Sequence, residues 1–145
     1  MLALTSCGGD DGGGEPPVFP ASYATTYQEV RNCRFSIDHN LRRIRVLASP
    51  DALAPYTDRM TAFPVGAVLL KVEHAEDDTS CSGPPIGFTA MLRLEAGADP
   101  ALLDWKWQEL DGDQHALQPM PARCASCHKT CGVPPEGYSG TCTQP

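Results

Sequence analysis

Positive charge is scarce in this chain, aromatic residues are few, and no long apolar run interrupts it. Lys and Arg number 11 against 18 Asp and Glu, a formal net charge of −7. The one basic cluster, Arg42-Arg43-Ile44-Arg45, is too small for the basic face that a nucleic-acid partner requires. A membrane-crossing helix needs about 18 consecutive apolar residues, and no stretch supplies them. With only 7% aromatic residues beside 13 Gly and 14 Pro, much of the chain is expected in loops. Its 145 residues suit one domain and not two.

Cysteine is what the chain has in quantity. Seven in this length point to a metal or cofactor site, or to an oxidising compartment. Cys124-Ala125-Ser126-Cys127-His128 reads C-x-x-C-H, with Cys131 following. This is the spacing of c-type haem attachment. Two thiols one helical turn apart span the two vinyl groups of a haem, and the adjacent imidazole reaches the iron as axial ligand. Two other chemistries use similar residues. A thioredoxin-type motif needs no histidine and belongs early in an α/β pattern. A closed zinc site needs four ligands, for which Cys131 and His115 are available. Of the three, haem c accounts for every residue of the motif.

Periodicity places the motif in an α+β domain, an antiparallel sheet with a few short helices. Tyr23, Tyr27 and Val30 stand at helical intervals, so a short amphipathic helix is expected there. Ile44, Val46 and Ala48 alternate with Arg43, Arg45 and Leu47 as in a strand. Ser49-Pro50 opens a helix. Residues 66–74 form a second strand, with Val68, Leu70 and Val72 opposite Leu69, Lys71 and Glu73. Residues 87–95 form a third, with Thr89, Met91 and Arg93 on one face. Asp99-Pro100 starts a helical turn, and residues 103–113 form a fourth strand closed by Asp-Gly. The C-x-x-C-H stretch falls on one or two helical turns near the C-terminus.

The N-terminal Leu4-Thr5-Ser6-Cys7 resembles a bacterial lipobox, although the basic region and most of the apolar region of an export signal are missing. The resemblance implies that Cys7 is diacylated. The expected organisation is residues 1–7 as signal remnant, 8–20 as a Gly/Asp/Pro linker and 21–145 as the haem domain. The cell envelope, on its periplasmic side, is the expected location, with membrane contact only through the lipid. Haem c is attached after export, so the two features agree.

Residues 44–56 (IRVLASPDALAPY) and 63–73 (FPVGAVLLKVE), followed by a C-terminal C-x-x-C-H, resemble the cytochrome P-460 family and the related β-sheet cytochromes c′. The resemblance spans roughly residues 20–130. It implies thioethers at Cys124 and Cys127, His128 as iron ligand, and Lys71 as the lysine bonded to the porphyrin edge. Arg45 corresponds to an arginine pointing into the distal pocket. Hydroxylamine-oxidising members carry a distal carboxylate where this chain has Thr89, which is no base near neutral pH. Weak hydroxylamine oxidation is therefore expected, and a gain for Thr89→Glu; Glu73 stands on the Lys71 face without a motif to support it. Small nitrogen oxides, a redox partner protein and a homodimer are the partners implied. An electron-transfer cytochrome, with His39, His74 or His115 as sixth ligand, and a haem-free zinc or disulfide-bonded lipoprotein are the alternatives. Phe88 and Met91 are expected in the core, with either able to cap the distal face.

Four cysteines remain, Cys33, Cys81, Cys131 and Cys142, and three pairings are open to them. Cys131 with Cys142 would close residues 132–141 and lock the C-terminal tail beside the motif. Cys33 with Cys81 would then tie the first helix to the loop before residue 87.

Overall fold

Five antiparallel strands form one sheet in chain order: β1 (Gln28–Ser36), β2 (Arg42–Ala48), β3 (Val68–His74), β4 (Gly87–Arg93) and β5 (Trp105–Asp111). Among the described residues three short α-helices accompany them, α1 (Tyr23–Thr26), α2 (Pro50–Asp58) and α3 (Pro121–Cys131). This computed structural model describes residues 14–118 and 120–142, and the α+β expectation is borne out.

Alternation decides what each face carries, because successive side chains on a strand point to opposite sides. One face presents Val46, Ala48, Leu69, Met91, Trp105 and Trp107, packed against Ala52 and Tyr56 of α2, Phe63, and Ala125 of α3. The other presents Leu47, Val68, Leu70, Val72, Phe88, Ala90 and Leu110. That second face is covered by Phe19, whose ring meets Phe88 at 5.5 Å and Tyr23 at 5.4 Å. Phe88 is thus a core residue of the second face. Residues 15–20, expected within a free linker, are docked here. Val18 N donates to Gln108 Oε1 at 2.9 Å and Gln108 Nε2 to Pro16 O at 2.8 Å. The remainder of the expected linker, 8–13, and Cys7 lie outside the described residues.

The amphipathic helix expected through Val30 is corrected. Only Tyr23–Thr26 is helical, and the edge strand β1 follows at once. Tyr23 and Tyr27 pack on the second face whereas Val30 packs on the first, so the three never shared a helical stripe. Two register irregularities, between Glu29 and Arg31 and between Arg31 and Arg34, break the two-residue period that would have marked a strand. Cys33 of β1 is bonded to Cys81, with Cα atoms 5.6 Å apart, so the edge strand is stapled to the loop before β4.

Ser49 occupies the N-cap of α2, and its hydroxyl serves the sheet. Val68 N donates to Ser49 Oγ at 2.9 Å, and Ser49 N donates to Val68 O at 2.9 Å. This fixes α2 across the end of β2 and β3. At the other helical turn, Pro100–Leu102, the Asp99 carboxylate accepts from Leu102 N at 3.2 Å.

Candidate functional site

Helix α3 begins with Pro121 at its first turn, where a missing N–H costs nothing. Cys124, Cys127 and His128 follow at i, i+3 and i+4 and therefore share a face. Ala125 and His128 are buried, Cys124 is half-buried and Cys127 exposed. Between this helix and the first face of the sheet lies a cavity of about 640 Å³, lined by all three motif residues together with Ile44, Val46, Leu69, Met91 and Trp107. That volume falls in the roughly 300–1,000 Å³ range of small-molecule and cofactor sites.

Cys131 is bonded to Cys142, with Cα atoms 5.0 Å apart. Both expected pairings are therefore present, and Cys124 and Cys127 keep free thiols. His128, Cys131 and Cys142 bring ligand atoms within 4.8 Å of one another, but the two sulfurs are joined and offer no thiolate. His115 sits on an exposed turn beside Asp111, away from the cavity. The Cys131 and His115 zinc set is not brought together.

His128 Nδ1 lies 2.6 Å from the Gly140 carbonyl. A carbonyl only accepts, so Nδ1 carries the proton and Nε2 keeps the free lone pair. The Trp107 ring stands edge-on to the imidazole at 4.7 Å. Burial, and then the Lys71 charge, push the His128 pKa down to about 4. The ring is therefore neutral across the physiological range, as a metal ligand must be. Free thiols at i and i+3, a tethered imidazole beside them and a cavity of this size together fit a c-type haem.

Lys71, on β3, reaches the same cavity. Its Nζ donates to His39 Nε2 at 2.6 Å, while His39 Nδ1 meets Ser36 Oγ at 2.8 Å. Burial lowers the Lys71 pKa to about 8. The His39 pKa falls to about 3, through burial first and then the charges of Lys71 and His128. Of the three histidines considered as sixth ligands, only His39 lines the cavity; His74 is buried on the second face, near Asp78.

Thr89 also lines the cavity, half-buried, and its hydroxyl donates to Glu73 Oε1. Glu73 is 2% exposed and accepts in addition from Arg42 Nη1 on Oε2. Gly87 lies opposite Glu73 in the β3–β4 register. A Cβ there would come within 2.7 Å of Arg42 Nη1 and 3.3 Å of Glu73 Oε2, so the glycine makes room for the pair. The cavity thus holds a buried carboxylate beside the threonine, delivered from the neighbouring strand.

Arg45 is a correction. Its side chain lies on the second face, where Nε contacts Glu29 Oε2 at 2.5 Å, and it does not line the cavity. Strand alternation is the reason. Val46 pairs with Lys71, so its neighbour Arg45, paired with Val72, must face the other way. The arginines that do line the cavity are Arg31 and Arg34 of β1, and Arg123 of α3. The two on β1 were missed because its irregular register hid the strand. No protein-family model and no curated protein matches this chain.

Proposed function

We propose that the chain is an exported c-type haem protein of the cytochrome P-460 type, whose open coordination position binds or oxidises small nitrogen compounds such as hydroxylamine and nitric oxide. The observation that carries this reading is the state of the motif. Cys124 and Cys127 are free thiols on one helical face while the other four described cysteines are paired, and His128 beside them is tethered through Nδ1.

In this reading Cys124 and Cys127 would hold the haem, and His128 Nε2, the nitrogen with the free lone pair, would be its iron ligand. The haem, when bound, supplies the iron that accepts the small ligand and the electrons passed on to a redox partner. The chain supplies the rest. Ile44, Val46, Leu69 and Met91 give the cavity an apolar wall. Arg31 and Arg34 place guanidinium groups on its wall, suited to anionic oxygens. Glu73, through the Thr89 hydroxyl, is the group able to take a proton, and such help is typically worth about 10²–10⁴-fold. Lys71, which lines the same cavity, would supply the amine for the porphyrin-edge bond that the resemblance implies. His39, whose Nε2 accepts from Lys71 in the chain without haem, lines the same cavity and would be the sixth ligand in the electron-transfer alternative. Cys7 would carry the lipid that anchors the protein on the periplasmic side of the cell envelope.

The test is an optical spectrum of protein made with the haem-attachment machinery, reduced, with and without nitric oxide. Covalent haem, lost on replacing Cys124 and Cys127 with Ala, and a spectrum that responds to nitric oxide are expected. Stoichiometric zinc without haem would refute the assignment. A six-coordinate low-spin spectrum indifferent to nitric oxide would favour electron transfer.

A further inference from the structure

We propose that the C-terminal strap, residues 132–142, is a positioning device for His128, and that the Cys131–Cys142 disulfide is the part that holds it in place. The strap leaves α3 at Gly132, whose N–H donates to His128 O at 2.8 Å, and turns back so that Gly140 N donates to Gly132 O at 3.1 Å. The turn returns the Gly140 carbonyl to the imidazole it left behind, 2.6 Å from Nδ1. Cys142 Sγ, bonded to Cys131 at the end of the same helix, lies 3.7 Å from that nitrogen.

Four hydrogen bonds fix the strap from outside, one of them from Tyr138 Oη to Thr61 O at 3.0 Å. Trp105 Nε1 donates to Ser139 O at 3.0 Å, and Arg59 Nη2 donates to Pro135 O at 2.7 Å and Gly137 O at 3.1 Å. Gly140 adopts φ +79°, and a Cβ there would stand 3.2 Å from Trp105 Nε1, so the carbonyl is presented by a residue that only glycine suits. The result is one bond that sets the tautomer and the ring orientation of His128. A donor hydrogen bond from the far ring nitrogen raises the basicity of the ligating one, and loss of such a partner typically costs about 10–100-fold in metal affinity. The disulfide therefore acts on His128 through the strap, in addition to the loop-closure stabilisation that any such bridge contributes.

The iron half of this inference rests on the haem reading; the tautomer half does not. The experiment takes the full chain with both disulfides formed and measures the His128 ring nitrogens by ¹⁵N NMR without haem. It then measures the iron–histidine stretch of the reduced, haem-loaded protein by resonance Raman. The C131A/C142A double variant should lose the single Nδ1–H tautomer and shift the iron–histidine band to lower frequency. It should also release the proximal histidine at roughly 10–100-fold lower concentration of a competing ligand. Trp105→Phe, which removes the bond to Ser139 together with part of the buried ring that packs beside Gly140 and Phe63, should move both signals part of the way and covers the case in which the double variant does not fold. The C33A/C81A variant, lacking the remote disulfide, should move neither. If His128 keeps its tautomer in the strap variants, or if C33A/C81A shifts it equally, the inference fails. If no haem attaches at all, the haem reading fails and the NMR comparison still decides the strap's role.

Discussion

Acid should destabilise this protein in a window set by its buried histidines, which opens well above the range in which its carboxylates act. In the chain without attached haem, the His128 pKa is about 4 against an ordinary 6.5, lowered by burial and then by Lys71. Below pH 6.5 the unfolded chain takes up a proton that the folded one refuses, so stability falls with pH until both are charged near pH 4. A shift of this size, at about 1.4 kcal/mol per pH unit, removes on the order of 3 kcal/mol. That is a large part of a domain's typical 5–15 kcal/mol. His39, lowered to about 3, and His74, lowered mainly by burial, act with the same sign. Asp58, Asp78, Asp104 and Asp111 are held below their ordinary 3.8 by hydrogen bonds, so their contribution disappears only as pH falls past that value. Urea unfolding of wild type and His128→Gln from pH 7 to 4 isolates one group. The variant should lose about 3 kcal/mol less than wild type across the window. Parallel pH profiles would show that the imidazole is not buried neutral as described.

Two Arg–Glu pairs on the sheet should differ in worth. Glu73→Ala leaves Arg42 unpaired beside a buried site and should cost about 2–4 kcal/mol, slightly under the range for fully buried pairs because Arg42 is partly exposed. Arg45→Ala breaks an exposed pair, should cost at most about 1 kcal/mol, and should leave any ligand spectrum unchanged; thermal unfolding and a nitric oxide titration check both. Opening the Cys33–Cys81 bridge, which spans 48 residues, should remove about 4 kcal/mol by the loop-closure relation. Opening Cys131–Cys142, which spans 11, should remove about 3 kcal/mol; urea midpoints of the two double Ala variants would reverse in order if closure entropy were not the cause.

What could be read from the sequence follows from how regular each element is. The strands β2 to β5 keep a strict two-residue period, and each was expected within a few residues of its place. β1 could not be found that way, since its register shifts between Glu29 and Arg31 and between Arg31 and Arg34, and Val30 packs on the face opposite Tyr23 and Tyr27. With β1 hidden, Arg31 and Arg34 had no reason to be considered. The cavity residues Cys124, Cys127 and His128 were legible from a fixed-spacing motif, whereas Lys71 and Thr89 were singled out by resemblance, on strands whose regular alternation turns both toward the cavity. Arg45 was placed by resemblance against its own alternation; Leu47, with which it shares a face, is a second-face core residue. The docking of residues 15–20 depends on Gln108, a polar residue in β5 whose partners lie 90 and 92 positions away, and no local pattern signals that.

The carboxylate at the cavity shows how a position-by-position comparison can ask the right question of the wrong residue. Thr89 alone suggests a missing base and a simple repair by Thr89→Glu. The fold puts Glu73 against the Thr89 hydroxyl, buried and paired to Arg42, so the repair adds a second carboxylate to one that is already present. Two carboxylates that share a site do not both ionise readily, and one Arg42 guanidinium cannot neutralise both. Thr89→Glu alone should therefore lose stability and gain little in hydroxylamine turnover. The E73Q/T89E double variant moves the single carboxylate from β3 to β4 and should recover both. Turnover and urea midpoint of the two variants, compared with Glu73→Gln alone, make the test. If the single Thr89→Glu variant matches the double one in turnover and stability, Glu73 does not hold the charge at that spot and the assignment of the proton acceptor falls with it.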